Sequence, residues 1–423
     1  MLKKIAVAQL RLGMHLHKLE GPWLQHSFWR TRFVIEKYEE LAELRKCGVL
    51  ECWIDLAQGL DVAPPAIAVA PPAIAVAPAF AAPLSAPAPA PVPAPTPARD
   101  QAARPMQEEL RQAAAICDRS RVAVLRMFGE ARMGRVVDAE GCLLLVDDIS
   151  SSVMRNPDAL VSLARLKTRD DYSYMHSVAV CALMVALARQ VGMNEDECRV
   201  AGLAGLMHDI GKAVMPLDVL NKPGKLSDDE YTVMRSHPAR GHQLLLEGRG
   251  ASPEMLDVVL HHHERPDGKG YPEGLSGEQV SGLARMGAIC DVYDAITSNR
   301  PYKIGWDPAD SIAQMVSWKG QFDERLLAAF VQILGIYPTG SVVKLHSGRL
   351  AVVVEQNPGK LVAPVVKVFF SGKSQMRITP ERIDLAGQSC SDRIVARQPQ
   401  DAGVFPGLDE LWLDPDLLMR RGR

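Results

Sequence analysis

None of the eight cysteines (Cys47, Cys52, Cys117, Cys142, Cys181, Cys198, Cys290, Cys390) pairs with another at CxxC spacing. That scatter argues against a zinc knot or a disulfide framework and reads as reduced core thiols of a cytoplasmic protein. Net charge is scarce too. With 48 Lys and Arg against 50 Asp and Glu, the formal charge is −2, so neither nucleic acid nor an anionic membrane surface is expected as the main partner. A local basic patch for a phosphate-bearing ligand stays open. The start, Met1-Leu2-Lys3-Lys4-Ile5-Ala6-Val7, carries the basic residues of a secretion signal, but its apolar run breaks at Gln9 and Arg11.

Residues 63–98 lack any charged side chain and are nearly all Ala, Pro and Val, with VAPPAIA at Val62 to Ala68 repeated at Val69 to Ala75. Two prolines per unit remove helical N–H donors, which excludes a heptad coiled coil. Recurrent proline and weakly hydrophobic alanine also argue against a membrane span. The stretch reads as a polyproline-type spacer, about 3.1 Å per residue and roughly 100 Å in all.

A chain of 423 residues, 47% hydrophobic, is too long for one core. Before the spacer, strand-like runs at Ile5 to Leu10 and Val49 to Asp55 flank a helical stretch near Glu36 to Lys46, a small α+β module. From about Pro105 to Tyr337 the pattern is helical. Ser227-Asp228-Asp229-Glu230 forms a capping box, Pro238 and Pro253 fit first helical positions, and His176 to Gln190, Glu195 to Asp209 and Gln279 to Ser298 are apolar on most faces, as in central helices of a bundle. Beyond Pro338, Ser341 to Leu345, Leu350 to Glu355 and Pro364 to Phe370 read as strands, with a Ser347-Gly348 turn. The expected domains are 1–62 (α+β module), 63–98 (linker), 99–337 (helical catalytic domain), 338–400 (β appendage) and 401–423 (tail).

Histidines and aspartates recur through the helical part: His176, His208-Asp209, His237, His262-His263 and Asp291. Nitrogen and carboxylate donors without thiolate suit iron or manganese better than structural zinc, and a bridging carboxylate lets two ions sit about 3.5–4 Å apart. Adjacent His208 and Asp209 lie about 100° apart on a helix, so the helix must relax there, ending by Gly211. Three consecutive histidines, His261 to His263, leave the ligand register open on spacing alone.

These residues stand in LMHDIGK (Leu206 to Lys212), SHPARG (Ser236 to Gly241), HHERPDGKGYP (His262 to Pro272) and CDVYDAITSNRPYK (Cys290 to Lys303). The ordered set resembles the HD-GYP family, firmly over residues 165–335. The N-terminal module resembles the small domain of unknown function often fused to it. The resemblance implies a multidomain, mainly α chain built on an HD-type helical bundle, hydrolysing cyclic di-GMP to pGpG with two divalent metal ions; whether pGpG is cleaved on to GMP stays open.

By that resemblance His208, Asp209 and Asp291 hold one ion and Asp209, His237, His262 and His263 the other, with His261 a neighbour. Lys212 adds charge at the phosphoryl oxygens. His176 matches a position that serves a third metal in some members, where a glutamate often stands one turn earlier; here that place is Tyr172, so two metals are expected. Asp294, Arg300 and Lys303 match positions that contact guanine and phosphates, and Gly270, Tyr271 and Pro272 form the GYP loop, a docking surface for GGDEF-type cyclases. The alternatives are a non-catalytic cyclic di-GMP sensor or cyclase-recruiting module, and a broader HD-type nucleotide phosphohydrolase. No receiver, PAS-like or transmembrane input is recognisable, and neither the signal sensed nor the oligomeric state follows from the sequence.

Overall fold

A computed structural model describes residues 2–20, 33–35, 51–60, 105–165, 172–222, 224–298, 305–398, 405 and 407–413. The expected helix at Glu36 to Lys46, the linker 63–98, and Arg300 and Lys303 lie outside the described residues. The chain forms two compact units, Met1–Asp100 and Gln101–Arg423.

In the first unit, β1 (Leu2–Ala6), β2 (His15–Glu20), β3 (Phe33–Val34) and β4 (Glu51–Asp55) form an antiparallel sheet in the order β1-β4-β2-β3. Ile5, Val7, Leu10, Met14, Leu16, Ile35, Cys52 and Ile54 make its core. The strand expected over Ile5 to Leu10 stops at Ala6. There the chain tightens into a 3-10 turn, Val7–Gln9, whose Gln9 side chain accepts the Ala6 N–H at 3.1 Å.

The second unit is helical, with α1 (Met106–Arg132), α2 (Leu143–Arg155), α3 (Pro157–Arg165), α4 (Tyr172–Gln190), α5 (Glu195–Met207), α6 (Leu217–Leu220), α7 (Asp228–Met234), α8 (His237–Leu246), α9 (Pro253–His261), α10 (Gly282–Thr297), α11 (Pro308–Ser317) and α12 (Glu324–Leu334). Helices α4 and α5 pack on each other at its centre. Residues from Val178 to Ala188 are all buried, which is why α4 is apolar around its whole circumference. Helix starts are fixed by side chains, with the Ser227–Glu230 capping box at α7, Ser252 on Met255 N–H at α9 and Ser281 on Ala284 N–H at α10. Pro253 takes the first position of α9, whereas Pro238 takes the second of α8, one residue later than expected.

Glu109 of α1 is fully buried and receives Arg155 of α2 through two bonds, 2.6 and 2.8 Å, and the Ser152 hydroxyl at 2.7 Å. At the C-terminal end, β5 (Val342–Leu345), β6 (Leu350–Glu355), β7 (Val365–Ser371), β8 (Met376–Asp384) and β9 (Ile394–Arg397) form an antiparallel sheet in the order β8-β7-β6-β5-β9. Its two edge strands, β8 and β9, go beyond the three strands expected. Among the described residues no helix is long and apolar enough to cross a membrane.

Candidate metal centre

Five elements bring the donors together: the start of α4, the end of α5, the start of α8, the end of α9 and the middle of α10. Helix α5 ends at Met207, not Gly211. His208 keeps helical angles, Asp209 turns to φ −101°, ψ 9°, and a 3-10 turn, Ile210–Val214, follows. That break is what lets neighbouring side chains converge. The 3-10 turn crosses the start of α8 so closely that a Cβ on Gly211 would lie 1.9 Å from the His237 carbonyl oxygen. Only glycine fits there.

The imidazoles are oriented by the turn that precedes each. Nδ1 of His208, His237 and His262 lies 2.8, 2.8 and 3.0 Å from the carbonyl oxygens of Gly205, Met234 and Val259. A carbonyl only accepts, so each Nδ1 carries the proton and each Nε2 turns a bare lone pair to the cluster. His237 Nε2 and His262 Nε2 stand 3.4 Å apart, and His208 Nε2 and His176 Nε2 3.2 Å apart. Between His237 and His262, lone pairs so placed repel unless a positive charge sits among them.

Two donor groups result, Asp209 with His237, His262 and His263, and His176 with His208 and Asp291. Asp209 reaches both: Oδ1 lies 3.1 Å from His237 Nε2, and Oδ2 lies 3.3 Å from His208 and 3.5 Å from His176. Asp209 Oδ1 is buried and accepts no aligned hydrogen bond. An orphaned carboxylate oxygen among neutral imidazoles is a donor set that fits a divalent cation.

The electrostatics agree. Burial pushes the His263 imidazole down to about 3 and holds His262 well below its ordinary value, keeping both neutral. Burial also disfavours a charged His176, but hydrogen bonds to Asp209, Asp291 and Asp294 outweigh it and hold that imidazole up at about 10. Burial would raise Asp209 and Asp291; Lys212 and His208 beside the first, and His176 on the second, keep both carboxyls well below the usual range.

The structure brings together His176, His208, Asp209, His237, His262, His263 and Asp291, with Lys212 Nζ 2.5 Å from Asp209 Oδ2. His176, expected at a separate third place, stands inside the same cluster, its Nε2 3.0 Å from Asp291 Oδ1. Asp294 departs from expectation. It is 2% exposed and its Oδ2 lies 2.5 Å from His176 Nδ1, so it holds that imidazole. The signal was in the sequence: Asp291 and Asp294 are three apart on one helix and share a face. His261 bonds Asp257 at 2.7 Å, outside both donor groups.

The GYP loop is tied to the centre from below. Buried Glu264 accepts the N–H groups of Glu273 and Gly274 at 2.6 and 2.9 Å. A Cβ on Gly270 would come within 2.4 Å of Glu264 Cα, so the loop glycine is required by backbone approach. The Tyr271 ring stacks on His263, centroids 4.7 Å apart. Two features here escaped sequence reasoning, the anchoring by Glu264 and the position of Arg235, whose guanidinium lies 4.6 Å from the Tyr271 ring centroid.

A helical bundle with this constellation is an HD-domain protein. The HD domain family model matches residues 154–326, and a model described as a domain of unknown function (DUF3391) matches residues 2–142, past the expected end of the N-terminal module at 62. The chain is 51% identical over 413 residues to a cyclic di-GMP phosphodiesterase of Pseudomonas aeruginosa, covering 97% of this chain and 96% of that protein. It is 35% identical over 244 residues to the cyclic di-GMP phosphodiesterase response regulator of Xanthomonas campestris, covering 55% and 63% of the two chains. Over 135 residues it is 38% identical to a 3′3′-cGAMP-specific phosphodiesterase of Vibrio cholerae, 32% of this chain and 31% of that one. The chain belongs to the HD-GYP family, with the DUF3391 domain at its N-terminus.

Proposed function

We propose that this chain is a metal-dependent phosphodiesterase that opens cyclic di-GMP to pGpG and cleaves that on to GMP. The observation that carries the reading is the convergence of unprotonated Nε2 atoms and carboxylates on a buried point beneath the GYP loop. The near full-length likeness to a cyclic di-GMP phosphodiesterase supports the substrate. Two divalent cations, iron or manganese by the donor set, would supply an activated water and neutralise charge on the phosphodiester.

The chain's own residues do the rest. Asp209, His237, His262 and His263 would hold one ion and Asp209, His208, Asp291 and His176 the other. Lys212, with its side chain 26% exposed and its Nζ on Asp209, restrains that carboxylate and faces the position a phosphoryl oxygen takes. Arg300 and Lys303 would add charge-assisted contacts to the substrate. In each cleavage the water oxygen joins phosphorus, the P–O3′ bond breaks, and the leaving oxygen takes the proton. The GYP loop, Gly270 to Pro272, would also dock GGDEF-type cyclases. The cytoplasm is the proposed location.

The test is anaerobic purification, loading with iron(II) or manganese(II), and separation of products from cyclic di-GMP and 3′3′-cGAMP. pGpG or GMP from cyclic di-GMP is expected. Full metal occupancy with no product would place the chain among sensors, and faster cleavage of 3′3′-cGAMP would reassign the substrate.

A further inference from the structure

Arg235 caps the C-terminal end of α7, two residues before His237, and its side chain is exposed. The guanidinium carbon lies 4.6 Å from the Tyr271 ring centroid and 5.9 Å from that of Tyr231. Tyr271 in turn stacks on His263, and its N–H donates to the His263 carbonyl at 3.2 Å. A short column therefore runs outward from the cluster: imidazole, phenol ring, guanidinium. Neighbouring cations are engaged elsewhere, Lys212 by Asp209 and Arg265 by two bonds to Asp267. Arg235 makes no ion pair among the described residues, although a cation held on a rigid aromatic face is the form in which an arginine is best prepared to take an anion. The guanidinium carbon lies over the Tyr271 ring. Its N–H donors make no hydrogen bond among the described residues, and a guanidinium fork matches two phosphate oxygens.

Building on the phosphodiesterase reading, we infer that Arg235, braced on Tyr271, is a substrate-binding residue that grips the phosphodiester not being cleaved. A cyclic dinucleotide carries two phosphodiesters in one ring. When one enters the buried cluster beside Lys212, the other is left at the rim, where the Arg235 column ends. Such a contact distinguishes a cyclic dinucleotide from any ligand with a single phosphodiester, and no residue so far assigned at the described centre does this.

The experiment compares the metal-loaded full chain with Arg235→Ala and Arg235→Lys, using turnover and equilibrium binding of cyclic di-GMP and turnover of bis(p-nitrophenyl) phosphate, which has one phosphodiester. For Arg235→Ala, KM and Kd for cyclic di-GMP should rise tenfold or more. Its kcat should stay within twofold, bis(p-nitrophenyl) phosphate turnover and metal content should not change, and Arg235→Lys should recover part of the affinity. Unchanged KM and Kd, or equal losses on both substrates, would overturn the inference. So would a lost metal or a changed preference between cyclic di-GMP and 3′3′-cGAMP, which would move the contact to a base. Wild-type protein that binds cyclic di-GMP without cleaving it would sink the phosphodiesterase reading alone, leaving Arg235 to be judged on Kd. Wild-type protein that neither binds nor cleaves it would sink both.

Discussion

Asp294 offers the sharpest test of how the centre is built, because the family resemblance places it on the substrate and the structure places it on His176. Its carboxylate is 2% exposed and 2.5 Å from His176 Nδ1. Holding Nδ1 leaves Nε2 to face Asp291 at 3.0 Å and His208 at 3.2 Å. Loss of such an orienting partner typically costs tenfold to a hundredfold in metal affinity, about 1.4–2.8 kcal/mol. Asp294→Asn keeps an acceptor and loses the charge, so it should fall near the lower bound; Asp294→Ala should fall near the upper. The loss should be concentrated in the group of His176, His208 and Asp291, since Asp294 holds His176, a member of that group. Elemental analysis after dialysis against graded metal buffers would show one ion released early and one retained. At a metal concentration a hundredfold above Kd, a tenfold weaker site removes about 1.3 kcal/mol of the stabilisation that bound metal confers, which thermal denaturation with and without metal reads directly. Wild-type metal binding in Asp294→Ala, together with a tenfold loss of cyclic di-GMP affinity, would refute this reasoning and restore Asp294 to the substrate.

Asp209→Ala should strip metal from both groups, because its two oxygens face different donor sets, while His261→Ala should release far less metal than His262→Ala or His263→Ala; elemental analysis decides both. Arg300→Ala and Lys303→Ala should weaken cyclic di-GMP cleavage about tenfold to a hundredfold in kcat/KM with the metals retained, and equal loss on a generic phosphodiester would favour a broader phosphohydrolase. Gly211→Ala should cost at least about 3 kcal/mol in a denaturant titration, since its Cβ has no room beside His237. Glu109→Gln, which takes the charge from a buried carboxylate paired with Arg155 at 2.6 Å, should cost up to about 3–5 kcal/mol in the same assay while leaving the metal affinity of the folded fraction unchanged.

The candidate donors were legible because metal-binding chemistry admits few residue types and their motifs fix the order. Orientation was not. HDIGK says that the helix relaxes at His208 and Asp209 but not that it ends at Met207, since the following turn packs against His237, a segment far off in sequence. Asp294 went to the substrate because the resemblance carried a role, whereas its i,i+3 relation to Asp291 pointed inward. In the C-terminal sheet, buried β5, β6 and β7 announce themselves by their Val and Leu runs. Strand β8, MRITPERID, lies at the edge, is largely exposed and carries Pro380, so its sequence has neither alternation nor an apolar run to betray it.

Why the GYP loop travels with the HD ligands follows from the same contacts. Glu264 stands next to His263 in the chain, so the peptide that aims a donor at the centre also aims the carboxylate that ties down Glu273 and Gly274. Tyr271, between Gly270 packed on Glu264 and the tied N–H of Glu273, is thereby set on the face of His263. The loop and the candidate centre therefore share the His263–Tyr271 contact. The tie by Glu264 and the stack on His263 give one physical reason for Glu264, Gly270 and Tyr271 to stand together in a single motif.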